Sequence, residues 1–112
     1  MVGDPEHWAV FVVSPDGHAA AGFIEVHLRE LAEGARGSPV PFVEGWFVAA
    51  GQRRRGLGRV LLEAAENWAR SRGFSELGSD TQLSNDLSIE VHQRLGFDEA
   101  ERLVCFLKQL NV

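Results

Sequence analysis

Arg53-Arg54-Arg55-Gly56-Leu57-Gly58-Arg59 puts four guanidinium groups and two glycines into one short stretch, a combination suited to gripping an anion. Before it, Phe42 to Ala49 is apolar except for Glu44 and Gly45, the pattern of a strand covered on both faces with one carboxylate set into it. After it, Leu57, Leu61, Ala64 and Trp68 recur at helical spacing. The whole reads strand, turn, helix. A helix start leaves backbone N–H groups unpartnered and carries the positive end of the macrodipole, so a phosphate there gains about 0.3–1 kcal/mol from the dipole alone. Gly56 and Gly58 let the backbone approach that anion closely.

Two familiar phosphate motifs do not fit. Gly51 and Gly56 have the separation of a nucleotide P-loop, but Leu57 and Gly58 stand where Lys and Ser/Thr are required. The dinucleotide pattern starts at Gly56 and Gly58 and then meets Leu61 in place of its third glycine. A chain of 112 residues suffices for one domain with a real core, spanning 1–112, and not for two. No apolar run approaches the roughly 20 residues of a membrane span, and the start, Met1 to His7, lacks the features of a secretory signal, so a cytoplasmic location is expected without a membrane partner. Cys105 is the single cysteine, set in an apolar run, so a core role is expected, with no disulfide and no cysteine-based metal site. The net charge of -5 argues against a nucleic-acid partner and suits a cationic ligand. Its distribution says more: arginines gather at 53–59, whereas Glu25, Glu30, Glu33, Glu44, Asp80, Glu99 and Glu101 lie in or beside the other expected strands.

Those groups must be positioned by a small number of elements. Trp8 to Val13, the turn Ser14-Pro15-Asp16-Gly17 and a second strand form an antiparallel hairpin, with Ile24, Val26 and Leu28 on one face and Phe23, Glu25 and His27 on the other. His27 is expected to be an exposed polar residue. Leu31 to Pro41 is a loop. The helix runs from about Gly56 to Arg72 and stops at Gly73; Phe74 to Asp80 reads as a further strand. A strand-helix-strand unit makes its two strands parallel, so Glu44, Asp80 and the arginine turn are expected around one crevice beyond their carboxyl ends. Ser84 or Asn85 caps a second helix with Leu87, Val91 and Leu95 on one face and His92, off that face, exposed to solvent; from Phe97 a last strand alternates through Lys108.

Taken together, Glu44-Gly45-Trp46-Phe47-Val48, the turn 53–59, Ala65-Glu66-Asn67-Trp68-Ala69, Ser79-Asp80-Thr81, Asn85, Val91-His92-Gln93 and the run Leu95 to Arg102 resemble the aminoglycoside 6'-N-acetyltransferases of the GNAT superfamily. The agreement covers residues from about 16 to 108 in order. The resemblance implies an α/β (α+β) fold: a mixed, largely antiparallel sheet whose central parallel pair splays to admit acetyl-CoA. Relatives begin with an additional strand and two helices that wall the acceptor pocket; here Trp8 already opens the first strand, so the expectation is a chain lacking them.

The resemblance further implies that backbone groups of Trp46, Phe47 and Val48 hold the thioester and pantetheine arm. Arg53, Arg54, Arg55, Gly56, Leu57, Gly58 and Arg59 would cradle the pyrophosphate, and Asn85 would contact the cofactor. Glu44, Asp80 and Glu101 would bind amino groups of the drug, which suits a polycation because each charge-assisted hydrogen bond contributes about 1.5–3 kcal/mol. The implied reaction is direct attack of the neutral 6'-amine on the thioester in a ternary complex. Its base is Asp80, or Glu44 through a water. The chain has no tyrosine, which the superfamily often uses to return a proton to the thiolate, so solvent is left with that task. A homodimer joined through edge strands is expected. Two alternatives share the cofactor residues: transfer to another amine, such as a polyamine or peptide, and a CoA-binding module without turnover.

Overall fold

The computed structural model describes residues 7–17, 19–53 and 55–111. The chain divides into two compact units, Met1–Asp80 and Thr81–Val112.

In the first unit β1 (Trp8–Val13), β2 (Gly22–Arg29) and β3 (Val40–Val48) form a three-stranded antiparallel sheet in chain order. The β1–β2 hairpin is the expected one, and its turn is closed by the Gly17 N–H donating to the Ser14 carbonyl at 3.0 Å. In β2 the alternation holds: Ile24 and Val26 are fully buried, while Phe23, Glu25 and His27 stay partly exposed. Gly22 is required by contact, since a Cβ there would lie 2.4 Å from the Phe47 carbonyl oxygen.

β3 begins earlier than its sequence suggests, because Val40 and Pro41 are already paired with Arg29 and Leu28. It is covered on both faces only as far as Val43; from Glu44 onward it is half-buried or exposed. α1 (Leu57–Ser71) then crosses the sheet and contacts all three strands. Its buried face is Leu57, Leu61, Leu62, Ala65 and Ala69, while Ala64 and Trp68 are only half-buried. The stripe is thus turned by about one residue from the one expected, because small Ala65 and Ala69 let the helix approach the sheet and leave Trp68 at the rim, under the Arg72 guanidinium at 5.1 Å. Burying each leucine contributes about 1.5–3 kcal/mol.

Phe74 to Asp80 is not the strand that was expected. It makes one parallel bridge, Phe42 to Gly78, with the Val43 N–H donating to the Gly78 carbonyl at 2.8 Å and the Gly78 N–H donating to the Pro41 carbonyl at 2.9 Å. The direction is as predicted and the length is not. Glu76 explains part of the difference: its carboxylate turns away to accept from the N–H groups of Arg36 and Gly37, so the chain before Gly78 serves the loop and not a ladder. At Gly78 a Cβ would meet the Phe42 ring at 2.7 Å.

The second unit holds α2 (Asp86–Arg94), capped by Asn85 and ended at Leu95 before Gly96 at φ 97°. His92 is half-buried and not solvated as expected; its Nδ1 lies 2.8 Å from the Ser88 carbonyl and its ring 5.0 Å from that of Phe97. Beyond Phe97 the expected last strand is absent among the described residues. Its alternation is real, but a strand exists only where a neighbour's backbone completes the ladder, and Phe106 and Leu107 are 92% and 89% exposed. Cys105, expected in the core, is exposed for the same reason.

Candidate functional site

Glu44 owes its position to a defect in the ladder. Val43 pairs with Val26 and Gly45 with Glu25, which leaves Glu44 as an extra residue, a β-bulge in β3. Bulges bend a strand and re-aim the side chain they carry. The Glu44 carboxylate is met by a guanidinium fork from β2: Arg29 Nε donates to Oε2 and Nη2 to Oε1, both at 2.7 Å. Two planar groups meeting through parallel hydrogen bonds fix orientation as well as distance. The Arg29 guanidinium also lies 3.7 Å from the centre of the Phe42 ring. Two residues before Arg29 on β2, His27 Nδ1 is 3.8 Å from Glu44 Oε2, and its ring stacks on Trp8 at 4.2 Å.

Asp80 belongs to the same neighbourhood. The Arg29 pKa is pushed above its ordinary value first by the hydrogen bond to Glu44, against the pull of burial, and then by the fields of Glu44, Asp80 and Glu33. Arg29 thus contacts Glu44 and feels Asp80, like Glu33, only through its field. With their side chains 36% and 24% exposed, the Arg29–Glu44 pair adds little to stability, about 0.2–1 kcal/mol at most, and its effect is on geometry.

The anion-gripping turn follows at the other end of the same half-strand. A short 3-10 helix, Ala50–Gln52, reverses the chain after β3, and Arg53 Nε donates to the Val48 carbonyl at 3.1 Å, tying the turn to the strand end. Arg55 reaches back to the Gln52 side chain. Gly56 takes φ 76°, a left-handed conformation that a side chain disfavours, and α1 starts there with neither a side-chain cap nor an acidic residue in its first turn. Among the described residues, no side-chain cap and no first-turn acid meets the first N–H groups of this helix. The Trp46 indole N–H donates to the Gly58 carbonyl at 3.2 Å and locks the first helical turn against β3.

The expected residues are distributed as follows. Trp46, Phe47 and Val48 end β3 just past the bulge, with Phe47 exposed and tilted against Phe23 at 6.1 Å. Arg53, Arg55, Gly56, Gly58 and Arg59 line the turn and the helix start; Leu57 points its side chain into the core, so only its backbone faces the turn. Arg54 lies outside the described residues. Asn85 and Glu101 belong to the second unit: Asn85 Oδ1 accepts from the Ser88 N–H at 3.0 Å, and Glu101 is exposed. The parallel bridge at Gly78 is followed by no further pairing with β3 among the described residues, so the parallel pair closes at Phe42 and opens toward Glu44. Arg29 was not foreseen. The signal was there, since Arg29 continues the exposed face of β2 two residues past His27, opposite a strand that carries a lone carboxylate.

Residues 2–97 match the model of the acetyltransferase (GNAT) family. The chain belongs to that family. Aminoglycoside N(6')-acetyltransferase type 1 of Klebsiella aerogenes is 46% identical over 101 residues, covering 90% of this chain and 66% of the relative. A structure of AAC(6')-Iy with a CoA-linked acetylneamine bisubstrate analogue superposes with a TM-score of 0.87 at 39% identity, covering 94% of this chain and 71% of that one. AAC(6')-Ih of Acinetobacter baumannii superposes with a TM-score of 0.84 at 36% identity, over 94% of this chain and 72% of its own. This GNAT chain thus spans about two thirds to three quarters of the proteins it resembles. Among the described residues no helix is long and apolar enough to cross a membrane, and no group of His, Cys, Asp and Glu could hold a metal ion.

Proposed function

We propose that this chain transfers the acetyl group of acetyl-CoA to the 6'-amine of aminoglycoside antibiotics, and so confers resistance to them. The observation that carries this reading is the placement, along one half of β3, of a bulged carboxylate held by the Arg29 fork and of an uncapped, arginine-rich helix start. An anion and a cation are invited to the two ends of one short strand segment. The residues fit acetyl-CoA: the helix start of α1 and the arginines 53–59 take the diphosphate, and the main chain of Trp46, Phe47 and Val48 takes the pantetheine arm and thioester. Asn85 contributes a further cofactor contact. The relatives' names, and the CoA-linked aminoglycoside analogue bound to AAC(6')-Iy, support the substrate class.

In the reaction, Glu44, Asp80 and Glu101 hold ammonium groups of the sugar. Asp80 removes a proton from the 6'-ammonium, with Glu44 acting through water as the other possible base, because only the neutral amine has a lone pair to donate. The nitrogen attacks the thioester carbonyl carbon, loses its second proton to solvent, and the carbon–sulfur bond breaks to leave the amide and the thiolate. A main-chain N–H of 46–48 meets the developing oxyanion, and the thiolate takes its proton from solvent. The two units work as one acetyltransferase domain, which the family match over residues 2–97 supports. The enzyme is cytoplasmic and acts as a homodimer; the outer edge of β1 and the exposed Leu103, Phe106 and Leu107 are the surfaces that support pairing, and sedimentation at micromolar concentration reads it.

The test is thiol release from acetyl-CoA with kanamycin, spermidine and a peptide amine, run on the parent, Glu44→Gln and Asp80→Asn. Release with kanamycin alone, lowered at least about a hundredfold in kcat by Asp80→Asn, is the expected result. Release with spermidine or peptide alone moves the chain to another amine. CoA binding without release on any amine makes it a binding module.

A further inference from the structure

Glu44 sits at a bulge, where no ladder neighbour fixes it, and a glutamate side chain has three rotatable bonds to lose. Left alone, such a carboxylate would sample many orientations. Arg29 removes that freedom: its fork occupies both oxygens at 2.7 Å, and the guanidinium carbon itself lies 3.7 Å from the centre of the Phe42 ring, a residue only 3% exposed. Each carboxylate oxygen keeps a second lone pair, so an ammonium can bind Glu44 without displacing Arg29.

We propose that Arg29 is a positioning residue for the acceptor: its guanidinium, set over the Phe42 ring, fixes the Glu44 carboxylate in one orientation, against which the aminoglycoside aligns its reacting amine. This rests on the reading of Glu44 as an acceptor-binding carboxylate. A cation inside a cation-binding site needs such a reason, because Arg29 weakens the attraction that Glu44 and Asp80 exert on the substrate. Removing it therefore has two opposed consequences. The local potential becomes more negative, which favours binding, and the carboxylate loses its aim, which disfavours reaction.

The prediction is a split between the kinetic constants that a merely structural role would not produce. In steady-state thiol release with kanamycin, Arg29→Gln lowers kcat about tenfold or more, leaves the KM for kanamycin level or reduced, and leaves the KM for acetyl-CoA unchanged. Arg29→Lys, which keeps the charge without the fork, falls between parent and Arg29→Gln. Rates are normalised to the CoA-binding fraction measured by calorimetry, so partial unfolding does not enter. A parental kcat in Arg29→Gln, full recovery in Arg29→Lys, or a raised kanamycin KM at unchanged kcat overturns the proposal. Glu44→Gln is measured alongside. If it is impaired while Arg29→Gln is not, the Arg29 proposal alone fails; if it keeps parental constants, Glu44 is not an acceptor group and both fall.

Discussion

α1 begins on a left-handed glycine with no side chain closing its first turn, whereas α2 begins on Asn85, whose side-chain oxygen accepts from the Ser88 N–H, followed by Asp86 in the first turn. The contrast is one of function against self-sufficiency. A cap contributes about 0.5–2 kcal/mol and a first-turn acid about 0.3–1 kcal/mol, so α1 forgoes terms that α2 uses. It can do so because it has fifteen residues and buries Leu57, Leu61, Leu62, Ala65 and Ala69, while α2 has nine residues and buries none. A helix secured along its length can leave its start open to a ligand. One secured mainly at its start cannot.

The strongest way to break this contrast is to give α1 the acid it lacks. A Cβ at Gly58 would lie 3.8 Å from the Trp46 indole nitrogen, an ordinary contact, so Gly58→Asp fits without moving the strand. A carboxylate there raises stability by about 0.3–1 kcal/mol through the dipole. The same charge about 4 Å from a diphosphate costs about 1–4 kcal/mol per unit of phosphate charge. Calorimetry is expected to show CoA affinity reduced at least about tenfold while the melting temperature rises. Unchanged affinity would remove the α1 start as the seat of the diphosphate.

What the sequence disclosed, and what it withheld, follows the same division between local and long-range causes. The hairpin at Ser14–Gly17, the glycine at the start of α1 and the cap of α2 are set by residues within a few positions of one another, and all three were legible, the cap as a choice between Ser84 and Asn85 that the structure makes for Asn85. The bulge at Glu44 was not, since a ladder slip depends on the strand opposite; neither was the Arg29 clamp, fifteen residues away from Glu44 in the chain. Gly22 and Gly78 give no turn signal, and their need appears only when the Phe47 carbonyl and the Phe42 ring are in place. The last strand was over-read because alternation at 97–108 records a capacity for pairing that no described backbone neighbour fulfils. The roles of Asn85 and Glu101 toward a ligand came from family resemblance, and the structure adds to them only the cap that Asn85 makes.

A smaller effect sharpens the comparison from the α2 side. Asn85→Ala removes the acceptor for the Ser88 N–H and is expected to lower stability by about 1 kcal/mol in a denaturant titration. Asn85→Asp keeps the acceptor, adds a charge that the dipole favours, and restores stability. If Asn85 also touches the cofactor, Asp at this position repels the phosphates, so Asn85→Asp is stable but binds CoA more weakly than the parent. Equal CoA affinity in all three would confine Asn85 to capping.

Two further backbone donors are met by a side chain that is distant in the chain, and they yield the smallest and most pH-dependent effect. The N–H groups of Arg36 and Gly37 donate at 3.0 Å to Glu76, which lies beyond α1 and so fastens the loop after β2 to the bridge segment that ends at Gly78. These two hydrogen bonds foremost, and the Arg36 charge behind them, hold the Glu76 carboxyl below its ordinary 4.5 against the opposing pull of burial. A depressed pKa in the folded state means that the unfolded chain binds the proton more readily. The stabilisation is therefore fully present above pH 4.5 and is lost as the pH falls through the lower folded value. Glu76→Gln, which titrates in neither state, should be less stable than the parent at neutral pH and should lose less on acidification, so the two stability curves converge below pH 4.5. Parallel curves in an acid-unfolding series would mean that the loop does not depend on the charge of Glu76, and that its two N–H groups, like those at the start of α1, are held in place by the packing around them.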